Sequence, residues 1–446
     1  MIFTWILVAL AFGTRLGVVL WLSDTVPYTD FVLYHAAGAE IAHDPSFLVD
    51  ASVVRDFPQI NWWPPGYPIF LSFIYSLTGA DHRAAVLVQV LLGTVVCWLV
   101  YRIGVRAAGE PVGRVAGMAI ALNPTYVFLT NQLASENLFL VWMALGLFIA
   151  GLEAQGHRSR LWNGMVFGLA AMTRAIGLLL PLVVGLWLRA RVRSSSAASR
   201  GHAWVRPVGW LLLGCAVVIA PWTLRNLVVT RAPALVCFGG GLNFYFGHNP
   251  DHIGYRNPSD TPLGTTRDPA AIDARGYRLG LAYIAERPTH LLTDGVRKIG
   301  ALYAFPDYAL HMNSGILIPD TRLHPELEPE VQTRLERQRV RDRWLHGPLR
   351  VAARTYHVLL LLLGAAGFLL ALRPRARRDG SAPGWPHEMR LAAWLVVAWT
   401  LAHVVFWAQP RFRVPLEIPL TLLAALAAVQ LVRRLRPRLV VLDGDE

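Results

Sequence analysis

Apolar blocks close to 20 residues long recur along this 446-residue chain, near 3–22, 83–105, 113–130, 137–152, 162–173, 175–190, 208–222, 352–372, 391–408 and 414–432. A helix of about 20 apolar residues crosses a bilayer core of roughly 30 Å. A backbone in hydrocarbon must satisfy its own hydrogen bonds, which restricts spanning segments to helices or closed barrels. The blocks therefore predict an all-α polytopic membrane protein with about ten transmembrane helices. Charged residues make up only 16% of the chain, against about 25% in soluble domains. The fifth and sixth blocks are short and close together, and Pro181 interrupts the second of them. The stretch GYPIFLSFIYSLTG at 66–79 is apolar but too short to span, and reads as an interfacial or re-entrant helix.

Loop charges orient the spans. Segments 102–115, 153–161, 188–206, 373–390 and 433–438 hold 3, 2, 5, 5 and 4 arginines. Segment 23–65 holds one, Arg55, against Asp24, Asp30, Glu40, Asp44, Asp50 and Asp56. Basic loops stay in the cytoplasm, so both termini are expected there, with the 23–82 loop and the long polar segment 223–351 outside. The net charge of +13 is thus a topology signal facing the anionic cytoplasmic leaflet. Nothing in the sequence forms the basic stripe that nucleic acid needs. Three cysteines, Cys97, Cys215 and Cys237, have no metal-site or disulfide spacing.

The polar segment opens with Gly239, Gly240 and Gly241, a turn signature, and the run GHNP at 247–250. Helical spacing is expected over 269–302, and the charged stretch 320–345 reads as a solvated helix or a linker. Three parts follow: an N-terminal transmembrane catalytic module (1–222) with its first outer loop, an extracytoplasmic region (223–351), and C-terminal membrane helices with a tail (352–446).

Four features could carry chemistry. Asp30 follows the first span within about eight residues in PYTDFVLYHAAGAEIA, where helical spacing resumes. It is placed to cap that helix and equally to act as a general base at the lipid interface. Arg15, Arg174, Arg225, Arg411 and Arg413 lie at the outer edges of spans, where basic residues are disfavoured. A guanidinium fork matches phosphate, although each arginine alone could simply pair with a local acid. Glu136, in TNQLASENLFLVW, opens an apolar helix, where a carboxylate also suits the helix dipole. In NWWPPGYPIF at 61–70, the two tryptophans fit an interfacial aromatic belt. Histidines such as His35, His43, His248 and His252 show no metal-ligand spacing. A divalent metal is allowed but not indicated, and no cofactor is implied.

Taken in order, these segments resemble the GT-C class of polyprenol-phosphate-dependent glycosyltransferases, nearest to the protein O-mannosyltransferase and aminoarabinose transferase group. The resemblance rests on PYTDFVLYHAAGAEIA, WPPGYPIFLSFIY, NPTYVFLTNQLASENLF, GLAAMTRAIGLLLP, PWTLRN with GGGLNFYFGHNP, and QPRFRVPLEIP. It implies Asp30 as the catalytic base and Glu136 as a second catalytic carboxylate, and Arg174, Arg225, Arg411 and Arg15 as ligands of the donor phosphate. Tyr34, Trp63, Tyr67 and Asn243 become candidates for the sugar or acceptor pocket. Many relatives carry two adjacent acids in the first loop, whereas here Phe31 follows Asp30.

The implied reaction moves a sugar from a polyprenyl-phosphate donor to an acceptor hydroxyl of a glycan, lipid or protein on the extracytoplasmic face, with inversion. Membrane lipids are the other partner. A transporter or flippase of lipid-linked glycans is the alternative. It requires a polar path at the bilayer midplane, and the centres of these blocks are nearly all apolar.

Overall fold

The computed structural model describes residues 1–22, 30–50, 59–152, 156–193, 204–250, 268–305, 329–373 and 387–442. Among these residues all regular structure is helical. In chain order the helices are α1 (Ile2–Trp21), α2 (Asp30–His43), α3 (Gln59–Trp62), α4 (Gly66–Thr78), α5 (His82–Ala108) and α6 (Glu110–Ala121). Next come α7 (Pro124–Leu129), α8 (Ser135–Ala150), α9 (His157–Thr173), α10 (Leu179–Arg193), α11 (Val205–Thr230) and α12 (Gly239–Gly247). The remainder are α13 (Pro269–Glu286), α14 (His290–Tyr303), α15 (Pro329–Leu372), α16 (His387–Val405) and α17 (Glu417–Leu442). Three 3₁₀ segments, Pro45–Leu48, Ala175–Leu178 and Pro410–Leu416, join them.

Among the described residues, six helical stretches are long and apolar enough to cross a membrane: Ile2–Trp21, His82–Ala108, Val205–Thr230, Gly347–Leu372, Glu388–Val405 and Pro410–Leu435. The other four apolar blocks fold as shorter helices, and local chemistry explains the breaks. In the block 113–130, Asn123 accepts hydrogen bonds from the N–H groups of Thr125 and Tyr126, and Pro124 starts α7. An N-cap followed by proline ends one helix and begins another. Between the fifth and sixth blocks the chain passes through Arg174, in extended conformation, and a 3₁₀ turn. The short apolar stretch at 66–79 is α4, packed against α2.

Small residues let the helices approach closely, as membrane bundles require. A Cβ on Gly164 would fall 2.0 Å from Leu211 O, and one on Gly214 would fall 2.0 Å from Leu161 O. The backbones of α9 and α11 therefore touch along this seam. A different use of glycine corrects the turn expected at Gly239–Gly241. These residues begin α12, because the Asp273 carboxylate accepts the Gly241 N–H at 2.6 Å. A Cβ on Gly241 would lie 1.9 Å from Asp273 O, so α12 and α13 pack backbone to backbone here. The helical stretch expected at 269–302 is two helices, α13 and α14, and residues 329–345 belong to the long α15. The expected features at 23–29, 51–58, 251–267 (with His252), 306–328 and 374–386 lie outside the described residues.

The segment Pro410–Leu416 sits where several elements converge. Arg413 is fully buried; it donates to Ala304 O at 2.6 Å and Leu302 O at 3.3 Å, and pairs with Glu417 at 3.1 Å. Asn123 Nδ2 donates to the other Glu417 oxygen, and Tyr126 O–H donates to Val414 O at 2.8 Å. This segment is fixed on three sides, and Arg411 projects from it.

Candidate active site

The first turns of α2 and α8, the residue that follows α9 and the segment 410–416 meet at one place. Their side chains are Asp30, Glu136, Arg174 and Arg411. Arg411 Nε donates to Glu136 Oε1 at 2.5 Å and its Nη2 to Glu136 Oε2 at 3.2 Å. The same guanidinium reaches Asp30 Oδ2 through Nη1 at 3.0 Å. Arg174 Nη1 pairs with Glu136 Oε1 at 3.0 Å and donates to Ser135 Oγ at 3.0 Å. Glu136 is thus held between two guanidinium groups, one of them bidentate, the strongest geometry for such a pair.

Solvent exposure separates the two acids. The Asp30 side chain is 41% exposed and Glu136 is 0% exposed, while Arg411 and Arg174 are 13% and 16% exposed. Glu136 therefore anchors positive charge inside the protein, and Asp30 offers a carboxylate to solvent. Arg174 uses only Nη1 among the described residues, which leaves Nε and Nη2 open to a ligand. Arg411 also lies over the Phe31 ring, 5.6 Å from its centroid.

Aromatic side chains back the cluster. Tyr34 is buried, 5.1 Å from both the Trp63 and Tyr67 rings, and its O–H is 3.5 Å from Ser135 Oγ. Burial, reinforced by the Asp30 charge, pushes the Tyr34 phenol up to about 12, so it stays protonated and can donate. Tyr67 is fully buried and donates to Gln89 Oε1 at 2.6 Å. Gln89 in turn donates to Thr130 O at 2.9 Å and Gln132 O at 2.8 Å. Gln89 thereby ties α4 and α5 to the turn that presents Glu136. The sequence reading passed over Gln89, although a lone amide inside an apolar span is itself a signal. Ser135, a candidate in the sequence for capping α8, lies inside its first turn and accepts from Arg174.

Three expected site residues lie elsewhere. Arg15 is fully buried in α1 and donates to Ala11 O at 3.0 Å, Ala121 O at 3.3 Å and Ile120 O at 3.4 Å. It fits against Gly93, where a Cβ would fall 2.6 Å from Arg15 Nε. Arg225 donates to Leu48 O and Asn61 Oδ1, both at 2.5 Å, and stacks on Trp222 at 4.7 Å, fastening the first loop to α11. Asn243 donates to Gly239 O at 2.7 Å within α12. Among the described residues no group of three or more His, Cys, Asp and Glu side chains converges as a metal site.

A family profile described as dolichyl-phosphate-mannose-protein mannosyltransferase matches residues 63–224. The apo oligosaccharyltransferase of Archaeoglobus fulgidus aligns with a TM-score of 0.54 and 12% identity, over 99% of this chain and 51% of that one. The chain shares the fold of that oligosaccharyltransferase. ArnT from Cupriavidus metallidurans, bound to undecaprenyl phosphate, aligns with a TM-score of 0.40 and 15% identity, over 97% of this chain and 77% of that one. No curated protein matches by sequence. The chain spans about half the length of the archaeal oligosaccharyltransferase. The matched profile contains Glu136 and Arg174, while Asp30 and Arg411 lie on either side of it.

Proposed function

We propose that the protein is a membrane glycosyltransferase that moves a sugar from a polyprenyl-phosphate donor to an acceptor hydroxyl on the extracytoplasmic face. The observation that carries this reading is the Asp30–Arg411–Glu136–Arg174 cluster, in which one carboxylate is open to solvent and two guanidinium groups are anchored beside it. The family profile, which names a dolichyl-phosphate-mannose donor, agrees with it.

In this mechanism Asp30 accepts the proton of the acceptor hydroxyl as the oxygen attacks the anomeric carbon. The bond from that carbon to the phosphate oxygen breaks, and the polyprenyl phosphate leaves with the electron pair. Arg174, with Nε and Nη2 unengaged, meets the developing phosphate charge, and Arg411 adds to the same field. A single displacement inverts the anomeric centre. Glu136 positions both arginines and does not exchange a proton with substrate. Tyr34 and Trp63 form the aromatic wall beside the sugar, while Tyr67 supports Tyr34 from beneath. Arg15, Arg225 and Asn243 stabilise the helices around the site.

The arginine-rich loops, which the positive-inside rule assigns to the cytoplasm, support an outward-facing 23–82 loop and cluster. Incubating purified protein with a panel of polyprenyl-phosphate sugars and acceptor mixtures, followed by mass spectrometry, tests the reading. Release of polyprenyl phosphate with appearance of a glycosylated acceptor is expected. Passage of intact lipid-linked sugar across a vesicle bilayer, with no transfer, would replace this function with transport.

A further inference from the structure

The polar segment between α11 and α15 was expected to lie in water, yet α14 exposes a row of large apolar side chains. Leu292, Val296 and Ile299 are 79%, 71% and 42% exposed, and their spacing of four and three residues sets them in one stripe. A second face, with Gly295, Lys298 and Leu302, is buried against α16 and the segment 410–416. The remaining face carries Thr293, Asp294 and Arg297, and Arg297 pairs with Asp294 at 3.4 Å. Three distinct faces on one helix are the mark of a helix lying at a boundary between lipid, protein and water.

The contacts with α16 show what covers the apolar stripe. Lys298 Nζ donates to Val404 O at 3.0 Å, and the Tyr303 and Thr400 hydroxyls are 2.8 Å apart. Moving up α14 is therefore moving down α16, so the two helices run antiparallel. On α16 the residues facing α14 are Thr400 and Val404, and Val397, Leu401 and Val405 are exposed beside them. At about 100° of rotation per residue, the exposed stripe on α16 lies a quarter turn clockwise from its α14-facing side, seen from the α16 N-terminus. The exposed stripe on α14 lies a quarter turn anticlockwise from its own packing side, in the same view. Because the two helices face each other, both stripes open on the same side. The apolar stripe of α14 thus lies beside that of the span, on the same side of the pair.

We infer that α14 is a membrane-seated helix that dips into the bilayer alongside the end of α16, with Leu292, Val296 and Ile299 among the lipids of that leaflet. Lys298 is level with Val404, so Ile299 sits deepest, and Leu292 lies about 10 Å nearer the water at 1.5 Å rise per residue. The C-terminal end of α14 is gripped by Arg413, two residues from Arg411. The lipid-seated helix therefore braces the segment that carries Arg411. This inference does not depend on sugar transfer.

The test places a single cysteine at Leu292, Val296, Ile299, Thr293 or Arg297, labels each with an environment-sensitive fluorophore, and reconstitutes the full chain in phosphatidylcholine vesicles. The unsubstituted chain is the blank: Cys97 and Cys215 are buried, and the labelling of half-buried Cys237 is subtracted with it. Nitroxide-bearing lipids should quench the stripe positions about two-fold or more beyond Thr293 and Arg297, in the depth order 299, 296, 292. Aqueous iodide should show the reverse order. Equal iodide quenching at all five positions would overturn the inference by placing the stripe in water. Insensitivity to nitroxide lipid together with Val296–Val296 cross-linking would overturn it by placing a second copy there. All five positions are exposed, so the variants should fold, and a size-exclusion profile checks that they do.

Discussion

Replacing Asp30 by Asn removes one charge and keeps the shape of the side chain, and Glu136→Gln does the same a few ångströms away. Their consequences should be opposite. Asp30 is 41% exposed and holds one contact, to Arg411 at 3.0 Å. An ion pair this open contributes about 0.5–1 kcal/mol, so Asp30→Asn should leave thermal unfolding in detergent nearly unchanged. If Asp30 is the base, transfer should fall about 10²–10⁴-fold. Glu136 is fully enclosed and carries three contacts to two guanidinium groups. Neutralising a buried partner strands the charges it balanced and costs about 3–5 kcal/mol. Arg411 retains Asp30, which moves the expected loss to the lower end of that range. Glu136→Gln should therefore lower the unfolding temperature sharply, whereas Glu136→Asp should recover part of it. The paired assay is dye-monitored unfolding beside mass-spectrometric transfer with a polyprenyl-phosphate sugar. An Asp30→Asn protein with turnover within a few fold of the parent refutes the base assignment. A Glu136→Gln protein as stable as the parent refutes the anchoring role.

Arg411→Lys should impair transfer nearly as much as Arg411→Ala, about 10²-fold, because an ammonium cannot fork onto Glu136 and still reach Asp30; full activity in the lysine variant would deny the bridge. Arg225→Ala should raise hydrogen–deuterium exchange around Leu48 and Asn61, whose acceptor atoms it frees; an unchanged exchange pattern would show that the loop is held by other contacts. Gly214→Val drives a side chain into Leu161 O and should destabilise the fold by about 2–3 kcal/mol as α9 and α11 part, read from the aggregation temperature. Burial raises the Asp273 carboxyl from 3.8 to about 6, against the opposing pull of the Gly241 and Leu242 N–H groups. Its folded value is above its unfolded one, so its contribution is full below about pH 4 and is lost as pH rises through 6. Asp273→Asn keeps an acceptor for Gly241 and should be about 1 kcal/mol more stable than the parent at pH 8, after allowance for partial exposure, with no gain at pH 4.

The membrane class was legible because hydropathy acts over 20 residues at a time, and no tertiary partner is needed to read it. The short helices were less so: Asn123 and Pro124 cut one apolar block into α6 and α7 through a local cap, inside a run that composition alone reads as one span. Asp30, Glu136, Arg174 and Arg411 were each suspect from charge at a span edge. That Arg411 reaches both acids depends on how Arg413, Glu417 and Tyr126 hold the 410–416 segment, which sequence order does not reveal. Arg15 carried the same edge signal as Arg411, yet carbonyl groups of α1 and α6 absorb it beside Gly93. The glycine triplet at 239–241 misled because its partner, Asp273, is more than 30 residues away along the chain.

The ion-pair cluster also dictates an order of manufacture. Glu136 and Arg174 leave the ribosome early and close together, whereas Arg411 is separated from Glu136 by 275 positions and from Asp30 by 381. A nascent chain can bring the first two together during insertion. The bridge to Asp30 closes only after the segment 410–416 has emerged, so the four-residue cluster is assembled late, after most of the bundle is in place.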